Sequence, residues 1–339
     1  MPTLPGPRGP ITAYLLDALQ REPHALTPPQ WTAPADTLAD EDLQLALYLC
    51  YELHYRGLDG VDDRWEWEPS LLALRAALEA DFEAALEAAV PRAAADADTD
   101  PGEMDVALRA IADADDGPSL SRHLEREGTL EQFLEFAVHR SAYQLKEADP
   151  HSWAMPRLSG PPKAALVEIQ ADEYGGGRAE RIHAELFAGA MRALGLDASY
   201  GAYLDHIPAV TLTTVNLMSF LGLHRRRRGA IVGHLALFEM TSSVPNRRYG
   251  DGLRRLGLGA DATAFFDEHV EADAVHEAIA AVDLAGGLAR QQPALTADVL
   301  WGARALVMVE ARWATHLLHA WVAGRSSLRQ PLAQAAPVP

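Results

Sequence analysis

The chain has 339 residues, 48% of them hydrophobic, enough to bury a sizeable core in one large domain or in one domain plus an extension. Asp and Glu number 48 against 29 Lys and Arg, a formal net charge of −19, which argues against nucleic acid or an anionic membrane as partner, since either needs a basic face. The single cysteine, Cys50, excludes an internal disulfide framework and thiolate metal clusters and fits a reducing, cytoplasmic setting.

In chain order, the proline-rich start MPTLPGPRGP has no apolar run, so no secretory signal is expected. Ala, Leu, Glu and Arg then dominate, and apolar residues return at three and four, as in Leu71, Leu74, Leu78, Phe82 and Leu86. This pattern predicts an all-α protein with helices near 10–22, 38–57, 68–91, 103–115, 129–147, 162–173, 178–194, 208–226, 229–256, 261–291 and 296–323. Proline and glycine clusters at 91–102, 148–162, 173–177 and 256–261 mark the breaks. From Asp59 to Asp116 there are 17 acidic residues against four arginines, a composition that reads as a solvated outer surface. The expected division is an N-terminal helical extension over 1–115, a core over 116–325 and a flexible tail over 326–339. Pro208 to Leu223 is strongly apolar but too short for the ~20 residues of a membrane span and carries Thr211, Thr213, Thr214 and Asn216, so it reads as a buried helix. The arginine run at 225–228 reads as a helix C-terminus paired with the acidic surface.

Chemistry is concentrated in the later half. His269, Asp273 and His276 are spaced four and three apart, on one stripe of a single predicted helix. Imidazole and carboxylate together suit iron, manganese or zinc, and further ligands would have to come from other helices. Upstream, EYGGGRAERIHAELF places Glu173 before a glycine turn and His183 in the next predicted helix, with Glu180 three residues before His183 in the Glu-x-x-His spacing of metal-binding bundles. The three glycines suit a tight reversal bringing Glu173 back toward His183. Glu239 lies among Leu235, Leu237, Phe238 and Met240, where burying a carboxylate is costly unless it is paired or metal-bound; that makes it the natural bridge. Glu147 is an outlying carboxylate from one more helix. Glu180 and Glu147 could equally form surface ion pairs, with Arg178 or Arg181 and with Lys146. Glu52 and His54 read as ordinary helix-surface or core hydrogen-bonding groups, His139 lies four after Glu135 in a spacing that could bind metal, and Tyr143, Phe238, Trp301 and Met308 read as core.

The ordered set Glu173, His183, Glu239 and His269-x3-Asp273-x2-His276, over roughly residues 130–325, resembles the heme-oxygenase-like diiron oxidases and oxygenases, sequences described as iron-containing redox enzymes. That resemblance implies a bundle of about seven core helices with two Fe(II)/Fe(III) ions, O2 as cosubstrate and room for an external electron donor. It assigns Glu173, His183 and His276 to one iron and His269 and Asp273 to the other, with Glu239 between them and Glu180 or Glu147 completing a coordination sphere. The implied activity is oxidation of a small molecule in specialised metabolism, by N-hydroxylation or by oxidative decarboxylation or cleavage. Nothing in this reading requires a nucleic acid or a membrane, and a homodimer is compatible with it. The rival readings are a haem-binding protein of the same fold and a non-catalytic helical interaction protein.

Overall fold

The computed structural model describes residues 1–332, with the backbone but not the side chains of residues 273–275. The side chain of Asp273 and the end of the expected tail, 333–339, therefore lie outside the described residues. Helices run over Pro10–Leu19 (α1), Glu41–Glu52 (α2), Pro69–Ala89 (α3), Met104–Asp113 (α4), Leu120–Arg126 (α5), Leu130–Gln144 (α6) and Asp149–Ser152 (α7). They continue over Gly160–Glu173 (α8), His183–Ala193 (α9), Ala209–Leu223 (α10), Arg228–Arg255 (α11), Ala260–Ala278 (α12), Gly287–Gln291 (α13) and Thr296–Val322 (α14), with a π-helical turn at Ile279–Gly286. No strand occurs among the described residues, and the all-α expectation holds.

Local chemistry sets the starts. Asp40 accepts from the Leu43 amide at 2.8 Å to open α2, Glu68 from Leu71 at 2.8 Å to open α3, and Thr129 and Gln132 form a reciprocal capping box at α6. Pro10, Pro69 and the prolines after Gly160 sit in first turns, where the missing amide proton costs nothing. Of the expected boundaries that move, three bear on the candidate ligands. The predicted 129–147 helix ends at Gln144, leaving Glu147 in a turn. The predicted 178–194 helix begins only at His183, because Ile182 is extended. The predicted 261–291 helix is interrupted by the π turn.

The centre of the bundle is α11, packed between α12 and α14, with α9 on the other side of α12 and α10 against α2 and α14. The α11/α14 crossing is close because Gly233 faces the Val299 backbone and Gly302 faces the Ala230 backbone; a Cβ at either would overlap its neighbour. Residues 209–222 of α10 are buried throughout, as expected, and no described helix is long and apolar enough to cross a membrane.

The N-terminal segment shares its core with the bundle: one buried cluster runs from Ile11 and Leu15 through Leu212 and Leu235 to Leu328. Its acidic residues are not all solvated, which corrects the surface reading. Glu79 and Asp96 are buried, and Asp96 forms a bidentate pair with Arg304 at 2.6 Å. The arginine run forms a short turn after α10, where Arg226 and Arg227 both pair with Glu83, Arg227 reaches Glu87 at 2.8 Å, and its guanidinium stacks 4.7 Å over Trp301. The run does meet the acidic surface, as its sequence suggests, but it is not a helix C-terminus: α10 has ended at Leu223, and Arg228 is the first residue of α11. The tail begins anchored rather than loose: Ser327 is buried and hydrogen-bonded to Glu135 and His139, and the Arg329 amide donates to the His206 carbonyl.

The deepest link is an ion pair absent from the sequence reading. Lys146 Nζ lies 3.0 Å from Glu52 Oε2, with both side chains essentially inaccessible, and Tyr200 donates to the same oxygen at 2.6 Å. Removing one partner leaves a buried charge unmatched, a cost of about 3–5 kcal/mol, whereas removing both with apolar isosteres is far cheaper. Urea unfolding of Glu52→Leu, Lys146→Met and the double variant should show each single substitution losing about that much and the double losing less than either.

Candidate metal centre

Four helices and one turn deliver the candidate ligands. Glu173 is the last residue of α8 and His183 the first of α9. Between them, Gly175, Gly176 and Gly177 all have φ between 58° and 82°, and a Cβ at Gly175 would sit 2.7 Å from the Ile182 nitrogen. Only glycine permits that reversal, and it brings Glu173 Oε2 to 3.1 Å from His183 Nδ1. Glu239 comes from mid-α11, and His269 and His276 from α12.

Glu147 comes from the turn after α6, and that turn is held at three positions around it. Arg56 donates to the Leu145 carbonyl at 2.9 Å, Lys146 pairs with Glu52, and Gln170 donates to the Ala148 carbonyl at 3.0 Å. The first two contacts come from the N-terminal segment.

Two groups of buried side chains result, Glu147, Glu173, His183 and His269 in one and Glu173, Glu239 and His276 in the other, with the ligand-type atoms of each within 4.8 Å of one another. Glu173, rather than Glu239, is common to both. The geometry thus redraws the expected partition: His183 and His276 fall in different groups, Glu147 joins the first, and His269 stands beside His183, ring centroids 4.5 Å apart. Glu180 is not brought in. It is exposed on the short turn Ala179–Arg181, which the extended Ile182 separates from α9, so the Glu-x-x-His spacing never lies on one helix face.

The atoms face one another as donors await a cation. Glu147 Oε2 is buried without a hydrogen bond, and Glu173 Oε2 with His183 Nδ1 and His276 Nδ1 with Glu239 make close ionic contacts lacking hydrogen-bond geometry, an arrangement that is costly for a polar core unless something bridges it. His269 Nδ1 lies 2.8 Å from the Phe265 carbonyl, one turn back, an oxygen that can only accept; Nε2 is thereby left as the acceptor, 3.3 Å from Glu147 Oε1. His276 is flanked by carboxylates on both nitrogens, Glu239 at Nδ1 and Asp172 at Nε2, each at 3.3 Å. These residues fit a carboxylate- and imidazole-bound metal such as iron.

Electrostatics agree. Burial opposes protonation of His276, but Glu239, Glu173 and Asp172 outweigh it and push its pKa up to about 9. Burial likewise works against charge on Glu173 and His183, yet each holds the other ionised, the carboxyl shifted down and the imidazole up. Tyr143, which reads as core in the sequence, lies against the site, and burial, then Glu147, Glu173 and Glu239, drive its phenol well above its usual range. His151 is pushed down to about 4 by burial; its Nε2 lies 3.1 Å from His234 Nδ1. Asp172, Tyr143 and His151 escaped sequence reasoning, although Asp172 adjoins Glu173.

The site opens into a small cavity of about 30 Å³ bounded by Tyr143, Glu147, Glu173, Glu239 and His269. A larger one of about 500 Å³ adjoins it, and Gln144, Phe238, Ser242 and Asn246 line both. Glu135 and His139 take no part: they hold Ser327, and His139 also meets Thr211 at 2.6 Å. Glu52 and His54 are likewise hydrogen-bonded elsewhere.

No curated protein matches the chain. Residues 134–311 match the family described as iron-containing redox enzymes, and this stretch covers more than half of the chain and contains every residue of both buried groups. The helical bundle has the heme-oxygenase-like all-α fold, and the protein belongs to the iron-containing redox enzyme family.

Proposed function

We propose that the protein is a nonheme diiron oxidase or oxygenase that uses O2 to oxidise a small molecule, by N-hydroxylation or by oxidative decarboxylation or cleavage. The observation that carries this reading is Glu173, one buried carboxylate shared by two ligand groups, one with Glu147, His183 and His269 and the other with Glu239 and His276. A haem pocket asks for an axial histidine beneath an apolar plane; this site is filled with carboxylates instead.

In this reading Glu147, His183 and His269 would hold one iron and Glu239 and His276 the other, with Glu173 available to both. Paired ferrous ions would supply the electrons for reducing O2. The chain does the rest. The Phe265 carbonyl and the Asp172 carboxylate fix the tautomers of His269 and His276, turning one lone pair of each toward the site. Tyr143 keeps its proton on Oη at neutral pH and can present it to the site. Leu235 and Phe238 line the inner cavity beside Glu239 and keep bulk water from the reacting groups.

Anaerobic loading with Fe(II), followed by iron analysis, should give about two irons per chain. Glu173→Ala should lose both, Glu147→Ala and Glu239→Ala should each hold about one, and Glu180→Ala should match the parent. A parent protein that retains no iron, or at most one, ends the diiron reading. Rapid mixing of the ferrous protein with O2, alone and with candidate substrates, then identifies the substrate by the compound that speeds O2 consumption.

Metal uptake should also depend on pH. With its pKa at about 9, His276 is protonated at neutral pH in the metal-free protein, and a ligand must shed its proton to bind. The apparent Zn(II) affinity should therefore climb from pH 6.5 toward 9 and level off above it, with a proton released per site at pH 7. Calorimetry in buffers of different ionisation enthalpy measures both.

A further inference from the structure

We propose that the N-terminal segment governs how tightly one of the two metal positions is held. Arg56, with the Glu52–Lys146 pair beside it, is a positioning residue for Glu147, and the position built on Glu239 and His276 is independent of it. This rests on the reading of the cluster as a paired metal site.

The need for a tether follows from where Glu147 sits. Glu173, His183, Glu239, His269 and His276 all belong to helices, whose backbone ladder fixes each residue. Glu147 has no such ladder, because α6 ends at Gln144 and residues 145–148 form a turn. Carbonyls at a helix end lack intrahelical amide partners, and the Leu145 carbonyl takes its donor from Arg56, at 2.9 Å. Lys146 is held by Glu52 at 3.0 Å, and the Ala148 carbonyl by Gln170 of α8 at 3.0 Å. The Arg56 guanidinium in turn lies 4.4 Å over the ring of Tyr200, whose hydroxyl donates to Glu52. Glu147 is thus fixed through the two residues before it and the one after it. Its own side chain is buried, with Oε1 3.3 Å from His269 Nε2.

The other position has no comparable dependence. Glu239 lies in mid-α11 and His276 within α12. Arg109 of the N-terminal segment does pair with Glu277, next to His276, but those side chains are 44% and 42% exposed, where an ion pair contributes little. Loosening the segment around Arg56 therefore frees the turn that carries Glu147 and leaves the helical ligands where they are. The metal beside Glu147, His183 and His269 is the one that weakens.

Calorimetric titration of the full chain with Zn(II) reads each position alone. In a Glu239→Ala background the remaining metal sits with Glu147, and adding Arg56→Met should weaken Zn(II) binding about 10–100-fold, the usual effect of losing a group that orients a metal ligand. In a Glu147→Ala background the remaining position should bind Zn(II) equally well with and without Arg56→Met. Arg304→Gln cuts a different tether of the same segment, its pair with Asp96, and should leave Zn(II) binding unchanged in both backgrounds. Equal weakening in both backgrounds, weakening in neither, or the same loss from Arg304→Gln would each overturn the proposal. If Arg56→Met fails to fold by circular dichroism, Glu52→Leu combined with Lys146→Met takes its place, in the same backgrounds and against the same outcomes. The parent separates the two readings: two Zn(II) bound without an effect of Arg56→Met sinks only the tether, and fewer than two bound sinks the paired metal site itself.

Discussion

Burying carboxylates and imidazoles together is the constraint on which this structure depends. An isolated charge transferred from water into a protein interior costs several kcal/mol even after relaxation, yet Glu147, Glu173, Glu239, His183, His269 and His276 are all buried between five elements of one bundle. Opposite charge answers part of the cost, as the mutual ionisation of Glu173 and His183 shows. The rest calls for a cation. A cluster of this kind also needs rigid walls, because carboxylates free to rotate would turn toward water, and much of the surrounding architecture serves to hold these six in place.

The N-terminal segment belongs to that support. Glu52 at the end of α2 and Arg56 just after it grip Lys146 and Leu145, the two residues before Glu147. Further out, the arginines after α10 gather Glu83 and Glu87 of α3, and Arg227 and Arg92 both reach Asp298 at the start of α14. The strong negative charge of the early chain is therefore partly internal wiring. It ties the extension to the bundle through Arg–carboxylate pairs, in the bidentate-capable chemistry for which arginine is better suited than lysine.

Several parts of the site were legible in the sequence for physical reasons. Glu239 stood out because a carboxylate among Leu235, Leu237, Phe238 and Met240 must be buried once the helix is amphipathic. His269 and His276 followed from helical spacing, and Glu173 and His183 from a glycine turn that could only be a reversal. What could not be read were distances across the bundle. Which carboxylate lies between the two groups depends on how α8 leans against α11 and α12, and spacing within one helix carries no record of that. Glu180 misled because the spacing rule presumes a continuous helix, and the extended backbone at Ile182 breaks it. The Lys146–Glu52 pair joins residues 94 positions apart, beyond any local pattern, so Lys146 read as a partner for its neighbour.

The glycine contact between α11 and α14 carries a mechanical consequence. With Gly233 against the Val299 backbone and Gly302 against the Ala230 backbone, the two helices are locked together there, so any change in their separation must be taken up further along, where Asn246 and Tyr249 of α11 and Glu310 and Trp313 of α14 line the larger cavity. The pair fixes the spacing of the two helices beside the buried carboxylate and imidazole cluster. Substitutions that widen or narrow the far end of the cavity can thus alter what fits inside while Glu239, six residues from Gly233, keeps its station.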